Sequence, residues 1–137
     1  CGALAREILA LKAANSWDYM VLRCLPAKLH LYPEQITPAV REAIRKGRAD
    51  GFHTIYILYA DCGTGGHLDT LCAEEGVERI AGPHCYSFFD GNDAFAERAD
   101  AEMRAFYLTD FLVKQFDAFV WKPMGLDRHP ELRDMKN

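Results

Sequence analysis

Five cysteines lie at positions 1, 24, 62, 72 and 85 of the 137 residues, and no two form a CxxC pair. Ordinary zinc ribbons and thioredoxin-like motifs are therefore unsupported. Cys62 stands in "YADCGTGG", residues 59–66, where glycines cluster at a point that reads as a strand turning into a helix. Cys85 follows His84 in "GPHCYSFF". Three chemistries suit such residues. The first is a metal ion or iron–sulfur cluster, because thiolates select zinc, copper(I) and iron–sulfur centres. Its ligands would be Cys1, Cys24, Cys62 and Cys85, with His84 as a substitute ligand or a hydrogen-bond partner and Asp61 as an orienting group. The plain alternative is four unrelated thiols, since free cysteine packs as a small hydrophobe.

The second chemistry is catalytic. Cys62 at a helix N-terminus would have a lowered pKa and act as nucleophile, with His84 as base and backbone N–H groups facing an oxyanion. The phosphatase pattern HC-x5-R fails on "HCYSFFDG", because Gly91 stands where an arginine is required. The third is ligand binding by Asp61, Gly63, Gly65 and Gly66. A G-x-G-x-x-G fingerprint breaks at Leu68, and His67 stands where a phosphate-binding loop needs lysine. The plain reading is a tight turn whose glycines allow positive φ, with Asp61 as a helix cap.

Alternating elements must position these residues. Residues 3–14 read as a helix with Leu4, Ile8 and Leu11 on one face, and 18–23 as a strand stopped by Cys24-Leu-Pro. Thr37-Pro38 reads as an N-cap and first-turn proline opening a helix to about Arg48. The apolar run 53–60 reads as a strand buried on both faces. A helix over 67–75, a short strand over 77–80, a helix over 93–104, a strand over 105–109 and a helix over 110–121 follow. Residues 123–137 read as irregular. This order predicts a single α/β domain over 1–137 with a mostly parallel, Rossmann-like open sheet and flanking helices. A helix opening at Cys1-Gly2 with no strand before it suggests that the first strand is missing. Cys24, Cys62 and Cys85 each follow a strand, and Cys1 would follow the missing one. In an open parallel sheet these ends share one edge, where ligands bind, so four cysteines are expected on one rim. Cys72 alone falls inside a helix.

Remaining polar residues have plainer roles. Asp110 suits a first helical turn, His30 a satisfied loop histidine, and His53 and His67 structural or exposed positions. Asp127, Arg128 and His129 form a polar turn whose default role is a surface salt bridge. Trp17 and Trp121 suit the core or element ends. The formal net charge of −4 lacks the basic footprint of a nucleic-acid partner. No apolar run is long enough to span a bilayer. An odd number of cysteines in a chain this long fits reduced thiols in a cytoplasm better than a secreted disulfide scaffold.

The chain resembles the DUF1638 family, uncharacterised proteins of methanogens and bacteria. The resemblance rests on "CGALAREI" at 1–8, "CLPAKLH" at 24–30, "YADCGTGG" at 59–66, "GPHCYSFF" at 82–89, "FYLTDFLVKQFD" at 106–117 and "GLDRHPEL" at 125–132. It covers nearly the whole chain in order. Family members look longer at both ends, which implies truncation here. The resemblance implies the cysteine set Cys1, Cys24, Cys62 and Cys85, and a role in anaerobic, corrinoid-linked one-carbon metabolism with a protein partner. The leading expectation is thus a metal- or iron–sulfur-binding accessory or redox protein. A thiol enzyme using Cys62, and a module binding a corrinoid or other small molecule, are the alternatives.

Overall fold

The computed structural model describes residues 1–101, 107–129 and 131–132. The chain divides into two compact units, Cys1–Ala105 and Phe106–Asn137. The first unit carries helices α1 (Ala5–Ala14), α2 (Ile36–Ala49), α3 (His67–Glu75), α4 (Ser87–Asp90) and α5 (Asn92–Ala101), and two strands, β1 (Tyr56–Ile57) and β2 (Glu78–Arg79). Short 3-10 turns occupy Gly2–Leu4, Ala27–Leu31 and Pro33–Gln35.

α2 is the organising helix. Ile36, Val40, Ile44 and Gly47 recur at helical spacing and are all buried, so one stripe faces the core. A Cβ at Gly47 would stand 3.1 Å from Ile55 Cδ1, so its absence lets the helix approach the chain leading into β1. The helix opens one residue before the expected cap. Gln35 is the N-cap, and Thr37 and Pro38 lie in the first turn. Pro38 is tolerated there because first-turn N–H groups have no intrahelical acceptor to lose. α3 begins and ends as its sequence suggests, between Gly66 and Gly76, both left-handed.

The sheet departs most from expectation. β1 and β2 pair in parallel, Tyr56 opposite Glu78 and Ile57 opposite Arg79, and this two-stranded ladder is the only one among the described residues. The chain is therefore mixed α/β and rich in helix, with a small parallel sheet. Residues 18–23 join no ladder, and Tyr19 and Val21 are exposed. The strand expected over 53–60 is a ladder only at Tyr56–Ile57. A β-prone sequence becomes a strand only where a second chain satisfies its backbone, and among the described residues the ladder forms only against Glu78–Arg79. In α1, Ile8 packs against the core but Leu11 stays exposed. The expected helix over 93–104 is Asn92–Ala101, with 102–104 outside the described residues. The strand expected over 105–109 also falls partly outside them, and 107–109 carry no strand.

In the second unit, α6 (Asp110–Lys114) is capped by Thr109, whose hydroxyl accepts from Leu112 N at 3.3 Å. The helix expected over 110–121 is broken. A π-helical turn, Asp117–Trp121, follows α6, and Leu126–Arg128 form a 3-10 turn. Phe111 and Phe119 meet edge to face at 5.0 Å, and Trp121 is buried. No helix of the described residues is long and apolar enough to cross a membrane.

Candidate functional site

The two strands carry their backbone pairing past the ladder. Ile80 N donates to Ile57 O at 3.0 Å, Asp61 N to Gly82 O at 2.9 Å, and Cys62 N to Pro83 O at 3.0 Å. These bonds hold the two loops side by side at the strand C-termini. Arg79 secures β2 by donating to both Asp69 carboxylate oxygens of α3 and to Ile80 O.

Cys62 and Cys85 meet there, their sulfurs 3.1 Å apart. Cys85 is buried and Cys62 half-buried. The Cys85 S–H bond, helped by the Cys85 backbone N–H and opposed by burial, holds the Cys62 thiol below its ordinary range. That same bond, together with burial, pushes Cys85 well above its ordinary range. Cys62 is therefore the more acidic thiol of the two. Among the described residues, Cys62 is also one of two non-glycine residues with positive φ, at 48°, a conformation that costs about 1–3 kcal/mol and is found at functional turns.

Asp61 builds the glycine turn. Its carboxylate accepts from the Thr64 hydroxyl at 2.6 Å, Gly66 N at 2.9 Å and Gly65 N at 3.1 Å. Gly63, Gly65 and Gly66 all have positive φ, which glycine adopts without strain. The chain thus supplies its own anion to the N–H groups that a bound phosphate would use. Asp61 is not the cap of α3, which is Gly66; it clamps the turn one step earlier. Behind this turn an open cleft of about 650 Å³ is lined by Pro33, Thr37, Arg41, Gly63, Thr64 and His67 among others. Arg41 is already paired there, donating to Glu74 and Glu75.

Cys1 is half-buried, and its nitrogen donates to Leu58 O at 3.3 Å. Gly2 N donates to Leu25 O at 3.0 Å, and a Cβ on Gly2 would collide with that oxygen at 2.7 Å. Residues 1–2 therefore lie between the chain leading to Cys62 and the one following Cys24. Cys24 itself is exposed, and Cys72 is buried within α3. Among the described residues, no three His, Cys, Asp or Glu side chains form a metal-holding group.

His84 faces a different cluster. Its ring meets Tyr86 at 4.4 Å and His30 at 5.4 Å, and stacks on Phe95 at 6.4 Å. Its Nδ1 accepts from Tyr86 N at 3.2 Å. Burial lowers the pKa of both His84 and His30, so both are neutral near pH 7. His53 and His67 are exposed, and His129 Nδ1 lies 3.1 Å from Glu131 Oε1.

Sequence reasoning passed over two residues. Thr64, buried, ties the turn to Asp61. Tyr59 is only 3% exposed, yet its hydroxyl has no hydrogen-bond partner among the described residues. Burial above all, and then the nearby Cys85 and Cys62 sulfurs, raise its pKa. The signal was its position three residues before Cys62, hidden inside an apolar run.

The sequence profile of the family described as "Protein of unknown function (DUF1638)" matches residues 24–137. The chain belongs to this family. Three of the four cysteines expected on one rim, Cys24, Cys62 and Cys85, fall within the matched segment, as do Tyr59 and Asp61. No curated protein and no solved structure matches the chain.

Proposed function

We propose that the protein holds a soft metal centre, a single ion or an iron–sulfur cluster, through Cys62 and Cys85 with Cys1 and Cys24, as an accessory or redox protein in anaerobic metabolism. The observation that carries this reading is that the Cys62 and Cys85 sulfurs, brought from two separate loops, meet at 3.1 Å at the strand C-termini. Thiolates are the ligands such metals select. Two sulfurs on one tetrahedral metal, each bonded at ~2.3 Å, stand ~3.8 Å apart. The Cys62–Cys85 pair, at 3.1 Å, needs only a small rotation to reach that span. Cys1 and Cys24 must turn inward to complete the set. The unpaired Tyr59 hydroxyl supports the same reading, since a buried donor without an acceptor costs about 1–3 kcal/mol unless a bound group supplies one. His84 enters as the neighbour that shapes the Cys85 loop. A cytoplasmic, reducing compartment suits these thiols. A Rossmann-like sheet larger than the parallel pair belongs to the same proposal. The bonds from Cys1 to Leu58 and from Gly2 to Leu25 are what the end of a strand between those segments would make.

Anaerobic purification with metal analysis and a visible spectrum tests the reading. Bound metal in simple ratio to protein, lost in Cys62→Ser, is the expected result. A fully reduced chain that takes up neither zinc nor a reconstituted cluster overturns it.

A second reading, Cys62 as the nucleophile of a thiol enzyme, is favoured by its positive φ and its lowered pKa. With His84 Nδ1 engaged by Tyr86, that nucleophile would draw its activation from Cys85. Small-molecule binding, a corrinoid included, has the cleft beside Gly63 as its nearest space.

A further inference from the structure

We propose that Cys62 and Cys85 form a redox couple that exchanges reversibly with low-molecular-weight disulfides. This goes beyond metal binding and stands on the sulfur contact whichever reading above holds.

The fold itself brings the two thiols together. They are 23 residues apart in sequence, yet their sulfurs lie at 3.1 Å. Two backbone bonds hold the loops that carry them, Asp61 N to Gly82 O and Cys62 N to Pro83 O. Because Cys62 is tied to the residue two before Cys85, the backbones lie close enough for a disulfide to be considered. A disulfide needs the sulfurs at ~2.05 Å. That is about 1 Å closer than they stand, a change that side-chain rotation can supply. The free thiols also differ in access. Cys85 is 3% exposed, whereas Cys62 is half-buried at the turn. An incoming disulfide reaches Cys62 first, and Cys85 waits behind it.

Access orders the steps. The Cys62 sulfur attacks one sulfur of a small disulfide, RSSR, forming Cys62–S–S–R and releasing one RS⁻. Cys85 gives up its proton, and its sulfur attacks the Cys62 sulfur. The Cys62–Cys85 bond forms and a second RS⁻ leaves. Both cysteines are oxidised, RSSR is reduced to two thiols, and the two protein protons end on those thiols. The reverse sequence regenerates the dithiol when RSH is in excess.

The test uses the full chain, reduced and freed of metal by a chelator, equilibrated without oxygen in mixtures of reduced and oxidised glutathione. Samples are quenched in acid, alkylated and read by intact mass and peptide mapping. The expected result is one transition in which alkylatable thiols fall from five to three together, with a bridge mapped between the Cys62 and Cys85 peptides. In Cys85→Ser, glutathione should remain attached to Cys62 because nothing resolves it. Five alkylated thiols across the whole series, or a bridge mapped to another pair, overturns the proposal. Peptide mapping of the unsubstituted chain separates these outcomes even if the variant fails to fold. Metal uptake is read separately on fully reduced protein, so failure of the couple and failure of the metal reading are distinguishable.

Discussion

Replacing Asp61 by alanine removes one acceptor and three bonds at once. Thr64 is 6% exposed, and its hydroxyl loses its 2.6 Å partner. A buried hydroxyl left unsatisfied costs about 1–3 kcal/mol. Gly65 N and Gly66 N lose bonds of 3.1 and 2.9 Å, but these glycines are exposed and half-buried, so water replaces much of the loss. Those two bonds together add about 1 kcal/mol. Asp61→Ala should therefore destabilise the protein by roughly 2–4 kcal/mol. Urea unfolding followed by circular dichroism should show the midpoint falling by roughly 1–2 M at a mid-range slope of about 2 kcal/mol/M. Asp61→Asn keeps one carbonyl oxygen and should fall between the two. The effect also has a pH signature. Burial works against ionisation of Asp61, but the Thr64 hydroxyl and the Gly66 and Gly65 N–H groups outweigh it and hold its pKa below the usual carboxylate value. Its contribution is thus full above the ordinary aspartate pKa of ~3.9 and is lost as pH falls through the lower folded value. The gap between the parent and Asp61→Ala should narrow in acid, toward that left by the neutral acceptor of Asp61→Asn. A variant within ~0.5 kcal/mol of the parent at neutral pH, or a gap that does not narrow at the acid end, would refute the clamp.

Three further outcomes follow from the same geometry. Tyr59→Phe should leave the reduced, metal-free protein no less stable, and up to about 1–3 kcal/mol more stable, because the hydroxyl it removes is buried without an acceptor; a clear drop in the thermal midpoint would show that the hydroxyl has a partner. Gly82→Ala should cost about 1–3 kcal/mol through overpacking, because its Cβ would stand 2.8 Å from Phe88 Cε1 and 2.9 Å from Asn92 Oδ1; unchanged unfolding would contradict that contact. Cys62 should be alkylated by iodoacetamide at lower pH than an ordinary thiol, and Cys85→Ala should move that profile upward by removing the S–H donor; superimposed rate–pH curves would dismiss the pairing.

Much of this protein was legible locally. The glycines at 66 and 76 bound α3, and the spacing of Ile36, Val40 and Ile44 marks the buried stripe of α2. Such signals are carried within a turn or two of chain, where sequence neighbours are spatial neighbours. The cysteine-bearing loops after 80 and around 60 were legible for the same reason, and so was their shared edge, because parallel strands align their ends. Partnership across the chain was not legible. Residues 18–23 have the composition of a strand but join no ladder among the described residues. Asp61 has the type of a helix cap, but the backbone path directs its carboxylate to the turn before the helix. Element order alone led to the expectation that four cysteines share one rim. Only the tertiary structure decided that Cys62 and Cys85 touch, that His84 turns toward Tyr86 and His30, and that Tyr59 lies buried beside the thiols. Sequence encodes the preferences of each segment, whereas contacts between distant segments depend on backbone hydrogen bonds and packing that no single segment carries.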